Sequence, residues 1–100
     1  MKIITICGSL KFQNEMMKIS EALELKGNCI LPPIYPTRNS KDDYTESEIL
    51  MFNKMHKEKI RISSSILVMN VDNYIGSSTK SEIEFAKALG KEILYYTDLI

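Results

Sequence analysis

Apolar residues fall along this chain in two alternating rhythms. Four short runs, "KIITIC" (Lys2 to Cys7), "NCIL" (Asn28 to Leu31), "SILVMNV" (Ser65 to Val71) and "EILYY" (Glu92 to Tyr96), are dense in residues that favour strands. The first and third are nearly continuous in apolar side chains, as expected of strands covered on both faces. Between the runs lie three segments of helical period. In the first, Phe12, Met16, Ile19 and Leu23 share one face, and Gly27 stands where a C-terminal cap belongs. The second starts at the capping-box pair Thr45 and Glu48, and Ile49, Phe52, His56 and Ile60 form its inward stripe. The third is expected from about Thr79 to Leu89, with Ile83, Ala86 and Leu89 inward and Gly90 closing it.

Strand, helix, strand, helix, strand, helix, strand is the order of a parallel sheet covered by helices, since right-handed crossovers lay each helix against the sheet. The pattern therefore predicts one α/β domain over residues 1–100, a flavodoxin-like or Rossmann-like three-layer fold with a four- to five-stranded parallel sheet. Ligands of such sheets sit beyond the carboxyl ends of the strands. That singles out three loops: Gly8 to Phe12, Pro32 to Asp43 and Asp72 to Ser78. The prolines and polar tail of "PPIYPTRNSKDDY" are expected to forbid regular structure until Thr45. The second helix has apolar residues left over, because Met51, Met55 and Ile62 lie roughly opposite its inward stripe. They predict self-association into a homo-oligomer.

Composition narrows the partners. The 100 residues carry 13 basic and 13 acidic side chains, so no global field draws a nucleic acid polymer or an anionic membrane. The apolar start "MKIITICGSL" is too short for a signal peptide or a membrane span, which points to the cytoplasm. Cys7 and Cys29 have no partner at metal-ligand spacing and read as reduced core hydrophobes, with no metal expected.

Two loops carry candidate chemistry. In "CGSLKF", Gly8 lets backbone approach a ligand, Ser9 offers a hydroxyl, Lys11 offers charge, and the N–H groups opening the helix favour polar oxygens. An ordinary strand-to-helix turn uses the same residues for capping. The loop is neither a P-loop nor a G-x-G-x-x-G fingerprint, so no nucleotide cofactor is expected. In "YIGSSTKSE", Thr79 and Glu82 fit a capping box, which makes Glu82 a structural residue. The same helix terminus would also hold Glu82 ionised beside the ligand crevice, ready to act on a sugar carbon. Both readings stand on the pattern alone.

Taken together, "CGSLKF", "KIRISSSILVMNVDNYIGSSTKSEIEFAKALGKEI" and the βα order between them resemble the nucleoside 2-deoxyribosyltransferase family, especially its small bacterial and phage members. Related 2'-deoxynucleoside 5'-phosphate N-hydrolases share the scheme. The resemblance covers nearly the whole chain and is most specific over Gly76 to Lys91, where Gly76, Ser77, Ser78, Glu82, Ala86, Gly90 and Lys91 match. It implies that Glu82 is a nucleophile that attacks C1' of a 2-deoxyribose and forms a covalent ester, later resolved by another base or by water. It also implies a small deoxynucleoside or deoxynucleotide partner. Gly8, Ser9, Lys11 and Phe12 would line its pocket, Gly76, Ser77 and Ser78 would receive the 5' end, and Tyr35 would cover the base. Three positions depart from the family: Lys57 stands where many members have an aspartate, Thr5 where the hydrolases have a tyrosine, and Ser63 to Ser65 where an aspartate is usual. Asp72 is then the expected second carboxylate, unless it only starts a turn with Asn73. His56 reads as a packing residue or a catalytic one. The lost aspartate also admits a non-catalytic nucleoside-binding module, and the outer stripe of the second helix an oligomeric scaffold.

Overall fold

The computed structural model describes residues 1–100 as a four-stranded, all-parallel sheet with three helices. In chain order these are β1 (Ile3–Cys7), α1 (Gln13–Leu25), β2 (Cys29–Leu31), α2 (Glu46–Ile62), β3 (Ser65–Val68), α3 (Ser77–Ala88) and β4 (Glu92–Tyr95). The strand order β2-β1-β3-β4 puts the two most apolar runs side by side at the centre, Thr5 against Ile66 and Cys7 against Val68. The arrangement is flavodoxin-like.

Alternation along the central strands divides the core in two. Ile4, Ile6, Leu67 and Met69 face α1, where Phe12, Met16, Ile19 and Leu23 meet them, so the expected stripe of that helix is the one that packs. Cys7, Ile66 and Val68 point the other way, to Ile60 of α2 and Ile83 and Ala86 of α3. One polar pair is tolerated there because it is bonded: the hydroxyls of Thr5 and Ser63 meet, and Ser63 also donates to the Lys59 carbonyl at 2.6 Å.

Helix ends explain where the sequence reading holds. Gly27 and Gly90 both take positive φ, 93° and 71°, just past α1 and α3, where a side chain would be strained. Thr45 and Glu48 form the expected capping box of α2. The proline segment is more regular than expected, because Ser40 and Asp43 make a second capping box over a single 3-10 turn, Lys41–Asp43.

The third helix begins two residues before the expected Thr79. Gly76 is its N-cap, without a side-chain bond, and Thr79 is buried inside the first turns. Thr79 and Glu82 therefore do not form a capping box. The outer residues Met51, Met55 and Ile62 of α2 are exposed, as is Leu50. No helix is long and apolar enough to cross a membrane.

Candidate active site

The order in which the chain lays down its parallel strands reverses between β1 and β3, and the loops leaving that point part to leave a crevice. Gly8 follows Cys7 at the end of β1 and forms part of its floor. One face of α2 supplies Ile49, Phe52, Asn53, His56 and Lys59, α3 supplies Glu82, and the segment from Pro33 to Tyr44 forms the outer wall. The space enclosed is about 490 Å³, the size of a small-molecule pocket. Glu82 is the only carboxylate among its lining residues.

Three ionisable side chains converge at the floor. The Glu82 carboxylate lies 3.7 Å from Nε2 of His56, and that same nitrogen lies 3.5 Å from the Cys7 thiol. Each comes from a different element, so the sheet and both helices fix the geometry. Burial decides their charges. It pushes the Glu82 carboxyl up to about 7, only partly offset by a hydrogen bond from the Cys7 thiol. It pushes His56 down to about 4, with the nearby Lys59 ammonium adding to the effect. Burial first, and then the adjacent Glu82, drive the Cys7 thiol far above its ordinary value. Near neutral pH the thiol and imidazole are uncharged and the carboxyl is at its midpoint. The ionisation expected of a helix-terminal Glu82 is thus overridden, because the residue sits in the second turn of α3 and away from water.

The wall is held by one arginine. Arg38 makes a bidentate pair with Glu48, at 2.8 and 3.1 Å, donates to the Asp43 carbonyl at 2.9 Å, and lies over the Tyr44 ring. The Tyr44 hydroxyl in turn accepts from the backbone N–H groups of Thr37 and Arg38. Lys59 pins the start of the segment through the Pro32 carbonyl at 2.7 Å. The Arg38 guanidinium, followed by the Thr45 backbone N–H, holds Glu48 down to about 2. The ion pair therefore contributes at pH values above the ordinary carboxylate range and is lost as pH falls through about 2. Glu48→Gln is expected to speed amide exchange at Thr37 and Arg38 while leaving the central strands protected, as read by hydrogen exchange with NMR.

No family model matches the sequence, and no curated protein matches it. Solved structures do match its backbone. A 2-deoxyribosyltransferase from Leishmania mexicana aligns over 96% of this chain with a TM-score of 0.71 at 18% identity. The fold is that of a 2-deoxyribosyltransferase. A conserved protein from Enterococcus faecalis also aligns, over 95% of the chain with a TM-score of 0.65 at 21% identity. The chain spans 64% and 62% of those two structures, under two thirds of each.

Of the residues singled out in the sequence, this deoxyribosyltransferase-like fold brings Gly8, His56 and Glu82 into the cleft. The others lie elsewhere. Ser9 caps the short turn Leu10–Phe12 by accepting from the Lys11 N–H at 3.3 Å. Lys11 stands 3.5 Å from the centre of the Tyr74 ring, and Phe12 meets that ring edge-on, so both are engaged with the loop after β3. Gly76, Ser77 and Ser78 open α3, with both serines exposed. Tyr35 packs on the α1 side of the sheet and borders a shallower hollow with Met17 and Ser20. Asp72 is exposed, outside the cleft lining, at φ 52° in the 3-10 turn Val71–Asn73. The strand ends at Val68, so Asp72 lies past the point where a strand end faces the crevice. Its neighbour Asn73 also has positive φ, 62°, as turn-forming Asp and Asn tolerate. Lys57 leaves the cleft too, its ammonium 5.6 Å from the Phe85 ring.

Sequence reasoning did not assemble Cys7 and His56 as partners of Glu82. The available signal was that His56 is the one polar member of an otherwise apolar stripe. Ile49, Phe52 and His56 of that stripe line the cleft instead of the closed core, and only Ile60 of the four is fully buried.

Proposed function

We propose that the protein cleaves the N-glycosidic bond of 2'-deoxynucleosides or their 5'-monophosphates through a deoxyribosyl ester on Glu82, and passes the sugar to a second base or to water. The observation that carries this reading is that Glu82, the only carboxylate lining the cleft, lies 3.7 Å from the imidazole of His56. An oxygen of Glu82 bonds to C1' as the C1'–N bond breaks, and the bonding pair leaves with the base. The base needs a proton as it departs. His56, having accepted the one from Glu82, is placed to supply it. One proton moved between the two side chains yields both the nucleophile and the acid, a minor form of the pair, since the proton otherwise rests on Glu82. Lys41 and Lys59 also line the cleft, which favours substrates with an anionic 5' group.

Each deoxynucleoside and deoxynucleoside monophosphate is incubated with the chelator-treated protein, with and without an acceptor base, and free or exchanged base is measured. The expected result is turnover, faster for the monophosphates at low concentration. The rate should fall as pH rises through about 7, where the pair loses to solvent the one proton it shares. His56→Ala is expected to slow natural substrates by about 10²-fold, and to slow an aryl deoxyriboside, whose leaving group needs no proton, much less. No base release from any substrate, with saturable ligand protection against heat, supports a binding module instead.

A further inference from the structure

The floor of the cleft holds more donor chemistry than glycosyl transfer uses. Cys7 Sγ, His56 Nε2 and a Glu82 oxygen all lie within 4.8 Å of one another. In a tetrahedral zinc site, with sulfur at about 2.3 Å and nitrogen or oxygen at about 2.0–2.1 Å, neighbouring ligand atoms are about 3.3–3.6 Å apart. The sulfur-to-nitrogen distance here, 3.5 Å, falls in that range, and the nitrogen-to-oxygen distance, 3.7 Å, is just outside it. The sulfur-to-oxygen pair is held only within 4.8 Å, so the Glu82 carboxylate has to turn toward the other two ligands to reach a shared ion.

Ligand type and charge select the ion. Thiolate, imidazole and carboxylate suit a borderline-soft cation, whereas magnesium and calcium require oxygen ligands. A divalent ion bound by one thiolate and one carboxylate gives a neutral complex, which a buried site tolerates. The three residues stand on β1, α2 and α3, so no mobile loop has to order on binding. Three protein ligands leave a fourth position open, and His56 and Glu82 turn it toward the cleft.

We propose that Cys7, His56 and Glu82 form a binding site for a zinc-class divalent cation with one coordination position open to the cleft. The ion takes the place of the thiol proton, and of the carboxyl proton where Glu82 carries one, and both protons leave to solvent. Nothing is oxidised or reduced. The ion and a sugar C1' compete for the same oxygen, so the site does not depend on the glycosyl reading and opposes it when filled.

The test uses cobalt(II) alone, titrated at pH 7.5 into the full, reduced chain with no substrate present. One equivalent is expected to give a thiolate-to-cobalt charge-transfer band in the near ultraviolet and strong visible bands of a tetrahedral ion, both displaced by zinc. Cys7→Ser should abolish the charge-transfer band and weaken zinc binding by at least ~10-fold. Cys29→Ser should change neither, since Cys29 lies on β2, away from the cluster. Cobalt bound without a charge-transfer band, a band that disappears in Cys29→Ser, or no binding at ion concentrations up to 1 mM (about −4 kcal/mol) overturns the proposal. Glycosyl turnover plays no part in these readouts, so the site can fail while that reaction stands, and the reverse.

Discussion

Glu82→Gln is expected to lose turnover by at least ~10³-fold and, in the same protein, to gain stability above neutral pH. The two effects have one cause. The carboxylate that a nucleophile requires is held where burial opposes its charge, so the folded state is stressed whenever Glu82 is ionised. The folded value of about 7 lies above the ordinary 4.5, so the contribution of Glu82 to stability is fully present below 4.5 and is lost as pH rises through 7. Glutamine, neutral at every pH, escapes that loss. At pH 8 the variant should be the more stable protein by roughly 1–3 kcal/mol, and the difference should narrow as pH falls below 4.5, where the wild-type carboxyl is protonated in both states.

His56 behaves in the opposite sense. Its folded value of about 4 is below the ordinary 6.5, so its contribution is present above 6.5 and is lost as pH falls through 4. In the wild type the two slopes oppose each other between about 4.5 and 6.5, and stability is nearly flat there. With Glu82 replaced, only the histidine slope remains, and stability should climb with pH. Urea midpoints for both proteins at pH 5, 6.5 and 8 read all of this. A variant that tracks the wild type at a constant offset refutes the burial argument, whatever its activity.

The residues show which parts of this molecule are legible in sequence. The central strands are, because burial on both faces demands apolar residues at every position, and "KIITIC" and "SILVMNV" have almost nothing else. The α1 stripe is, because one helix face meets one sheet face. The start of α3 is not: Thr79 and Glu82 have the capping-box spacing, but Ile83 and Ala86 pack against Cys7 and Ile66, Thr79 itself is buried, and the helix starts at Ser77. Local pattern loses to tertiary contact there. The charge of Glu82 follows from that displacement, since a residue in the first turn and one in the second face different surroundings. Cys7, His56 and Glu82 are the extreme case, separated by 49 and 26 positions and brought together only when two crossovers lay α2 and α3 on the same side of β1.

Gly8→Ala is expected to be among the most damaging single-methyl changes in the protein. A Cβ at that position would lie 2.7 Å from Cβ of Met69 and 3.3 Å from the terminal methyl of Met16. Both methionines are fully buried. Met16 can bend its flexible end away at small cost. The Cβ of Met69 is fixed by its backbone, one residue past β3 and bonded through its N–H to the Cys7 carbonyl at 2.8 Å. Relief therefore requires β1 and β3 to part at their carboxyl ends, where Cys7 and Gly8 form the floor of the cleft. Overpacking of this kind costs about 1–3 kcal/mol, and the same movement should displace the Cys7 thiol from His56 and weaken ligand binding and metal binding together. The background Met69→Ala separates this account from a simple lack of room for side chains. Alanine removes the long arm of Met69 but keeps its Cβ, so the cost of Gly8→Ala should persist there nearly in full. Recovery of more than half the lost stability in the double variant would place the clash in the methionine side chain, and the strand ends would then stay paired.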